Sequence, residues 1–130
     1  PGTPETMLKM THYDDLVTDL VYFFSKKISE LRELHINDII IDVGFGFGKT
    51  LEQNYTLLKK LEVFHMLGVP ILTGISRKSM VYKILGTDPE QALNGTTVAN
   101  TLALLKGSNI LRVHDVKEAV EAVKITRAYV

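Results

Sequence analysis

The 130-residue sequence contains no cysteine and no tryptophan. Without cysteine there is no disulfide, no thiolate metal site and no thiol nucleophile, so any chemistry falls to carboxylate, amine, guanidinium, imidazole and hydroxyl groups. An excess of one charge sign is also lacking, since 15 Lys and Arg balance 15 Asp and Glu. A surface that neutralises a run of phosphates needs surplus cations, which argues against a broad nucleic-acid interface. No apolar run approaches the length of a membrane span, and the opening residues lack the cationic-then-apolar pattern of a secretion signal. There is no low-complexity tract and no internal linker. With 45% apolar residues, the expectation is one soluble, cytoplasmic-type domain with a modest core.

What is present alternates between helix and strand. Over residues 13–34, Leu16, Leu20, Phe23, Phe24, Ile28 and Leu31 recur at helical spacing with charges between them. Ile39-Ile40-Ile41 is a continuous β-branched run of the kind found in strands covered on both faces. Thr50 and Gln53 form a capping box for a helix reaching about Leu67, where Gly68 and Pro70 stop it, and residues 69–73 read as a second strand. Asp88, Pro89 and Gln91 mark another helix start, with an apolar face through Ala92, Leu93, Val98, Leu102 and Leu105. Residues 109–113 read as a third strand. Asp115 and Glu118 suggest a further capping box, for a final helix with Ala119, Val120, Val123 and Ile125 inward.

Strands separated by roughly 30 to 40 residues with a helix between them are βα units, which build a parallel sheet. Three such strands leave both sheet edges open and one apolar face short of cover. Residues 1–7 read as loop material without an initiator methionine. Together these features suggest a fragment whose earlier half is missing, with a small three-stranded α/β domain as the other possibility.

Each strand ends in polar or charged residues, at the end of the sheet where α/β proteins hold ligands. The first runs into Asp42-Val43-Gly44-Phe45-Gly46-Phe47-Gly48-Lys49-Thr50. A phosphate loop would need a glycine separated by four residues from Gly48-Lys49-Thr50, where Val43 stands, and the spacing of the glycines is not that of a dinucleotide fingerprint. Gly44 and its neighbours let the backbone approach a ligand closely, and Asp42 could accept paired hydrogen bonds from a flat heterocycle while Phe packs on the ring. A carboxylate that merely caps the loop is the competing reading. The second strand leads into Thr73-Gly74-Ile75-Ser76-Arg77-Lys78-Ser79, where the cations either hold an anionic or carbonyl group or form a solvated turn. The third ends in Arg112-Val113-His114-Asp115. Arg112 and His114 share one face of a strand and suit an oxyanion or phosphate, unless Arg112 simply pairs with Asp115 and His114 lies on the surface. His12, His35 and His65 lack ligand spacing and read as surface residues, and Lys26-Lys27 and Lys59-Lys60 as solvated helix faces.

These three loops, in this order, resemble the D-P-G-x-G-F-G-K, S-R-K and R-V-H-D motifs of the dihydropteroate synthase family, with Val43 where proline is usual. Gly2-Thr3-Pro4 with Met7 resembles the segment after that family's fifth strand. The resemblance implies an α/β fold: the C-terminal part of a (β/α)8 TIM barrel, comprising helix five and strands six to eight with their helices. It implies condensation of 6-hydroxymethyl-7,8-dihydropterin diphosphate with p-aminobenzoate to give dihydropteroate and pyrophosphate. By the same resemblance Asp42 and Lys78 would contact the pterin, and Arg112 and His114 the diphosphate. Phe47, Ser76 and Arg77 would border the p-aminobenzoate pocket. Mg²⁺ is implied, with its ligand in the other half of the barrel, as is a homodimer packed through the late helices. The competing functions are a pterin-binding methyltransferase barrel, which has no use for a diphosphate clamp, and a non-catalytic module that assembles through its helices.

Overall fold

The computed structural model describes residues 4–130, with side chains from Leu16 onward. Gly2, Thr3 and the side chains of Pro4, Met7 and His12, on which some sequence expectations rested, lie outside the described residues. Helix α1 (Pro4–Glu33) begins earlier than the sequence suggests. Proline at the first helical position costs no hydrogen bond, because first-turn N–H groups have no intrahelical acceptor. Val17 and Ile28 of α1 are buried, with Leu20, Val21 and Phe24 packed on the core. Phe24 meets Phe64 edge-on at 6.2 Å between ring centroids. Phe23, expected on the inner face, is instead 54% exposed.

Strands β1 (Ile41–Asp42), β2 (Ile71–Thr73) and β3 (Ile110–Leu111) form a parallel sheet in the order β1-β2-β3. Ile41 pairs with Ile71, and Leu72 with Ile110. The strands are shorter than expected, although flanking bonds prolong the pairing: Ile41 N–H donates to Pro70 O, and Arg112 N–H to Thr73 O. Asn109 lengthens the β2–β3 seam from its side chain, its Oδ1 accepting from Ile71 N–H at 2.9 Å.

Alternation divides the sheet into unlike faces. Ile41, Ile71 and Thr73 are buried on one. Ile40, Asp42, Leu72, Ile110 and Arg112 fall on the other by register, and there Ile40 is 54% exposed. The β-branched run is therefore covered on one face only, not on both as its composition suggests.

Helix α2 (Leu51–Lys59) opens with the expected capping box: Thr50 Oγ1 accepts from Gln53 N–H, and Gln53 Oε1 from Thr50 N–H. It passes into a 3₁₀ turn (Leu61–Leu67) that ends at left-handed Gly68. After β2 come the short helix α3 (Ser79–Tyr82), a 3₁₀ turn (Pro89–Gln91) capped by Asp88, and then α4 (Leu93–Leu105). The face of α4 differs from expectation. Thr96, Ala99, Asn100 and Ala103 are buried, whereas Val98, Leu102 and Leu105 lie exposed. Helix α5 (Val116–Tyr129) likewise buries Ala119, Ala122 and Thr126, leaving Val120 and Ile125 outside. Small side chains let these two helices lie close against their neighbours, and the large residues are pushed outward. Asp115 makes no side-chain cap for α5. Its carboxylate is engaged elsewhere, as the site shows.

Candidate functional site

The sheet delivers three loops to one rim, each entered from the C-terminal end of a strand. Asp42 closes β1. Its Oδ1 accepts from Gly44 N–H at 2.9 Å, and its Oδ2 accepts from Arg112 Nη1 at 2.9 Å. Asp42 therefore caps its own loop, as the competing reading had it, and also pairs with a cation across the sheet. Gly44, Gly46 and Gly48 all have positive φ, a conformation side-chain-bearing residues rarely adopt, so the loop folds tightly beside the rim. Its two phenylalanines part company: Phe45 is fully buried, while Phe47 is 72% exposed.

Two residues that sequence reasoning did not single out hold this loop. Lys49 Nζ donates to Gly44 O at 2.6 Å. Asn54 is 2% exposed in α2; its Oδ1 accepts from Gly46 N–H and its Nδ2 donates to Thr50 O. The available signal was a polar residue on the helix stripe that carries Leu57, Leu58 and Leu61.

From the second loop, Lys78 Nζ donates to Phe45 O at 2.5 Å and lies 4.8 Å from the centre of the Phe47 ring. Its pKa is lowered from the ordinary lysine value, first by burial and then by the Arg112 charge, with Asp42 opposing. Lys49 is lowered as well, by burial, again against the pull of Asp42. From the third loop, the Arg112 guanidinium crosses directly over Gly74. A Cβ at position 74 would stand 2.1 Å from Arg112 Nη2, so the absence of a side chain there opens the path to Asp42. The pair is half in solvent, and an ion pair so placed contributes ~0–1 kcal/mol to stability. Its interest lies in where it holds the two groups.

Ser76, 6% exposed, lies with its Oγ 2.7 Å from His114 Nδ1 and accepts from His114 N–H at 3.3 Å. Gly74, Ser76, Lys78, Arg112, Val113 and His114 line a cavity of ≈ 120 Å³. That is room for a compact anion, whereas pockets for drug-sized ligands run to about 300–1,000 Å³.

Arg77 is tied to the loops around it. It occupies a left-handed backbone conformation (φ 55), with its N–H donating to Thr96 Oγ1. Its guanidinium forks onto both Asp115 oxygens at 3.0 and 3.1 Å and also donates to Pro89 O. The side chain therefore braces the second loop against the third rather than lining the cavity. The acid available to Arg112 is Asp42, because Asp115 already belongs to Arg77. That hydrogen bond holds the Asp115 carboxyl below its usual range. In sum, the rim gathers Asp42, Gly44, Phe47, Ser76, Lys78, Arg112 and His114, with Arg77 set behind them. His35 and His65 stay exposed, as expected. Among the described residues no group of three or more His, Cys, Asp or Glu is placed to hold a metal ion.

The profile of the family described as Pterin binding enzyme matches residues 1–114. The dihydropteroate synthase of Escherichia coli K12 is 40% identical over 129 residues, covering 98% of this chain and 46% of that one. The Coxiella burnetii dihydropteroate synthase in complex with pteroic acid superposes with a TM-score of 0.87 at 37% identity, over 92% of this chain and 46% of that one. The Thermus thermophilus dihydropteroate synthase in complex with 4-aminobenzoate gives 0.84 at 36% identity, over 89% and 46%. The chain spans about half the length of these relatives. Its fold is that of part of a (β/α)8 barrel, three wall strands with their helices, which explains a sheet covered on one face only.

Proposed function

Because this chain belongs to the family of pterin-binding enzymes, we propose that it carries the pterin- and diphosphate-contacting loops of a dihydropteroate synthase. The observation that supports this most is the Arg112 guanidinium lying across Gly74 to Asp42, with Lys78 and His114 beside it. One acid and several basic groups on one rim suit a substrate with a hydrogen-bonding ring at one end and a diphosphate at the other. Asp42 would accept from the pterin amino and ring N–H groups through its free lone pairs, and Lys78 would approach the same ring. Arg112 and His114 would hold the diphosphate, with Phe47, Gly44 and Ser76 bordering the substrates.

In the reaction, the bond from the pterin methylene carbon to the diphosphate oxygen breaks and the electron pair leaves with pyrophosphate. The aniline nitrogen of p-aminobenzoate bonds to that carbon and loses a proton. Negative charge grows on the leaving group, so cations fixed beside it lower the barrier more than they favour the ground state. No strong base is required, because the aniline lone pair is already nucleophilic.

Mg²⁺ is part of the family expectation, but these residues do not form a site for it. Among the described residues, no group of three or more His, Cys, Asp or Glu is placed to hold the ion. Its ligands would have to come from other parts of a complete barrel. We also propose a homodimer, supported by the exposed Ile84, Leu85, Val98 and Leu102 beside one apolar groove, and a cytoplasmic setting, in keeping with a sequence free of cysteine.

The chain by itself should show little or no synthase turnover, since its cavity is far smaller than the two substrates. The test is a chimera in which this chain replaces the matching 129 residues of the E. coli relative. Dihydropteroate formation should persist and fall at least about a hundredfold with Arg112→Ala, the loss expected for removing a preorganised charge partner. A folded chimera with no activity, or one indifferent to Arg112→Ala, would overturn the proposal.

A further inference from the structure

We propose that Ser76 is a positioning residue that holds His114 as the neutral tautomer protonated on Nε2, so that the ring offers an N–H donor away from Ser76. The anion-binding use of that donor rests on the synthase reading above; the tautomer does not. Ser76 Oγ has two partners among the described residues, the backbone N–H and the Nδ1 of the same histidine. The backbone N–H can only donate, so it takes one oxygen lone pair. The hydroxyl proton then has a single acceptor within reach, Nδ1 at 2.7 Å. Were Nδ1 to carry the proton instead, the serine oxygen would accept twice and its own proton would be left without an acceptor, in a residue 6% exposed. An unmade bond at a buried hydroxyl costs roughly 1–3 kcal/mol, enough to decide between tautomers.

The ring orientation is fixed by the same pair of contacts. Ser76 grips both the main chain and the ring of His114, making a closed link that resists rotation about the side chain. The neighbouring charges do not compete for Nδ1 as acceptors: Arg112 and Lys78, which share the cavity lining, are donors, and the Asp115 carboxylate is held by Arg77. The Ser76 backbone is itself secured from behind, because Arg77 ties this loop to the third one.

The experiment uses the chain labelled with ¹⁵N-histidine. Long-range ¹H–¹⁵N correlation spectra at about pH 8, above the usual histidine range, distinguish a protonated from an unprotonated ring nitrogen. The signals of His114 are identified by their loss in His114→Gln. Wild-type His114 should show a pyridine-like Nδ1 and a pyrrole-like Nε2. Ser76→Ala should move the two nitrogen shifts toward each other as the tautomers mix, and Ser76→Thr, which restores a hydroxyl, should return them. A pyrrole-like Nδ1 in the wild type would overturn the inference even if Ser76→Ala failed to fold, and so would unchanged shifts in a folded Ser76→Ala. Titration with inorganic pyrophosphate separates the two readings. Binding weakened about fivefold by Ser76→Ala, the equivalent of one ordinary hydrogen bond, supports the link to anion recognition. Absence of pyrophosphate binding beside the expected tautomer counts against the synthase reading alone.

Discussion

Arg112 disfavours the charged form of Lys78 in two ways. Its positive charge disfavours the protonated lysine, and its bond to Asp42 occupies the carboxylate that would otherwise favour it. Substituting Arg112→Gln removes the repulsion and frees Asp42, so the Lys78 pKa should rise toward the ordinary 10.5, although burial, the largest cause of the depression, stays. The linkage follows from the sign. A lysine pKa depressed by folding opposes the folded state while the group is charged, and the opposition is relieved as pH rises through the folded value toward the unfolded one. Arg112→Gln should therefore reduce the gain in stability on entering that alkaline window. Following the Lys78 Cε resonance against pH would check the direction, and an unchanged or lower midpoint in the variant would contradict it. The basic and acidic identities at this rim were legible in the sequence because each ends an apolar run. The pairing was not legible. The acid that chain proximity offers Arg112, as the alternative to an anion site, is Asp115, whereas Asp42, seventy residues away, is its partner. A glycine directly after the strand between them, Gly74, makes that reach possible, which is a fact of register rather than of composition.

At the scale of the element, the loop 43–49 depends on a helix it does not belong to. Asn54 sits on the first turn of α2 and reaches back to Gly46 N–H while its amide donates to Thr50 O. Asn54→Ala would leave the partly buried Gly46 donor unpaired, at a cost of about 1–3 kcal/mol. The capping box of Thr50 and Gln53 remains, so α2 should keep its far-ultraviolet signal while the amides of Gly44 to Lys49 lose protection. Urea unfolding with hydrogen exchange would measure both, and a uniform loss of protection across α2 would show that Asn54 supports the helix rather than the loop. The elements themselves were readable wherever one local interaction decided them, as with the Thr50 cap or left-handed Gly68. The faces of α4 and α5 were not, because large apolar residues normally mark the buried side. Here Ala99, Ala103, Ala119 and Ala122 take that place, permitting close approach, and hydrophobicity alone points the wrong way.

For the whole molecule, that inversion has a consequence for assembly. Burying alanines sends Val98 and Leu102 outward beside Ile84 and Leu85, and the groove between α3 and α4 is an apolar surface of ≈ 180 Å³ that water covers poorly. A second apolar region of ≈ 670 Å³ lies between β3, α4 and α5. In the barrel relatives the chain continues for about as many residues again, so this second region and the open sheet face are where further wall elements would seat. The groove of α3 and α4 lies on the helical exterior, and it is the surface we propose for contact between two copies. Leu102→Asp would place a carboxylate in such an interface, weakening association by about 1–3 kcal/mol or roughly 5- to 150-fold, while leaving the core untouched because Leu102 is not among its residues. Val120→Asp does the same beside β3. Sedimentation velocity over a concentration series discriminates between the surfaces. Dissociation by Leu102→Asp alone identifies the α3–α4 groove as the homodimer contact. Dissociation by Val120→Asp alone, or a wild type that stays monomeric at the highest concentration, would remove the dimer from the account of this chain.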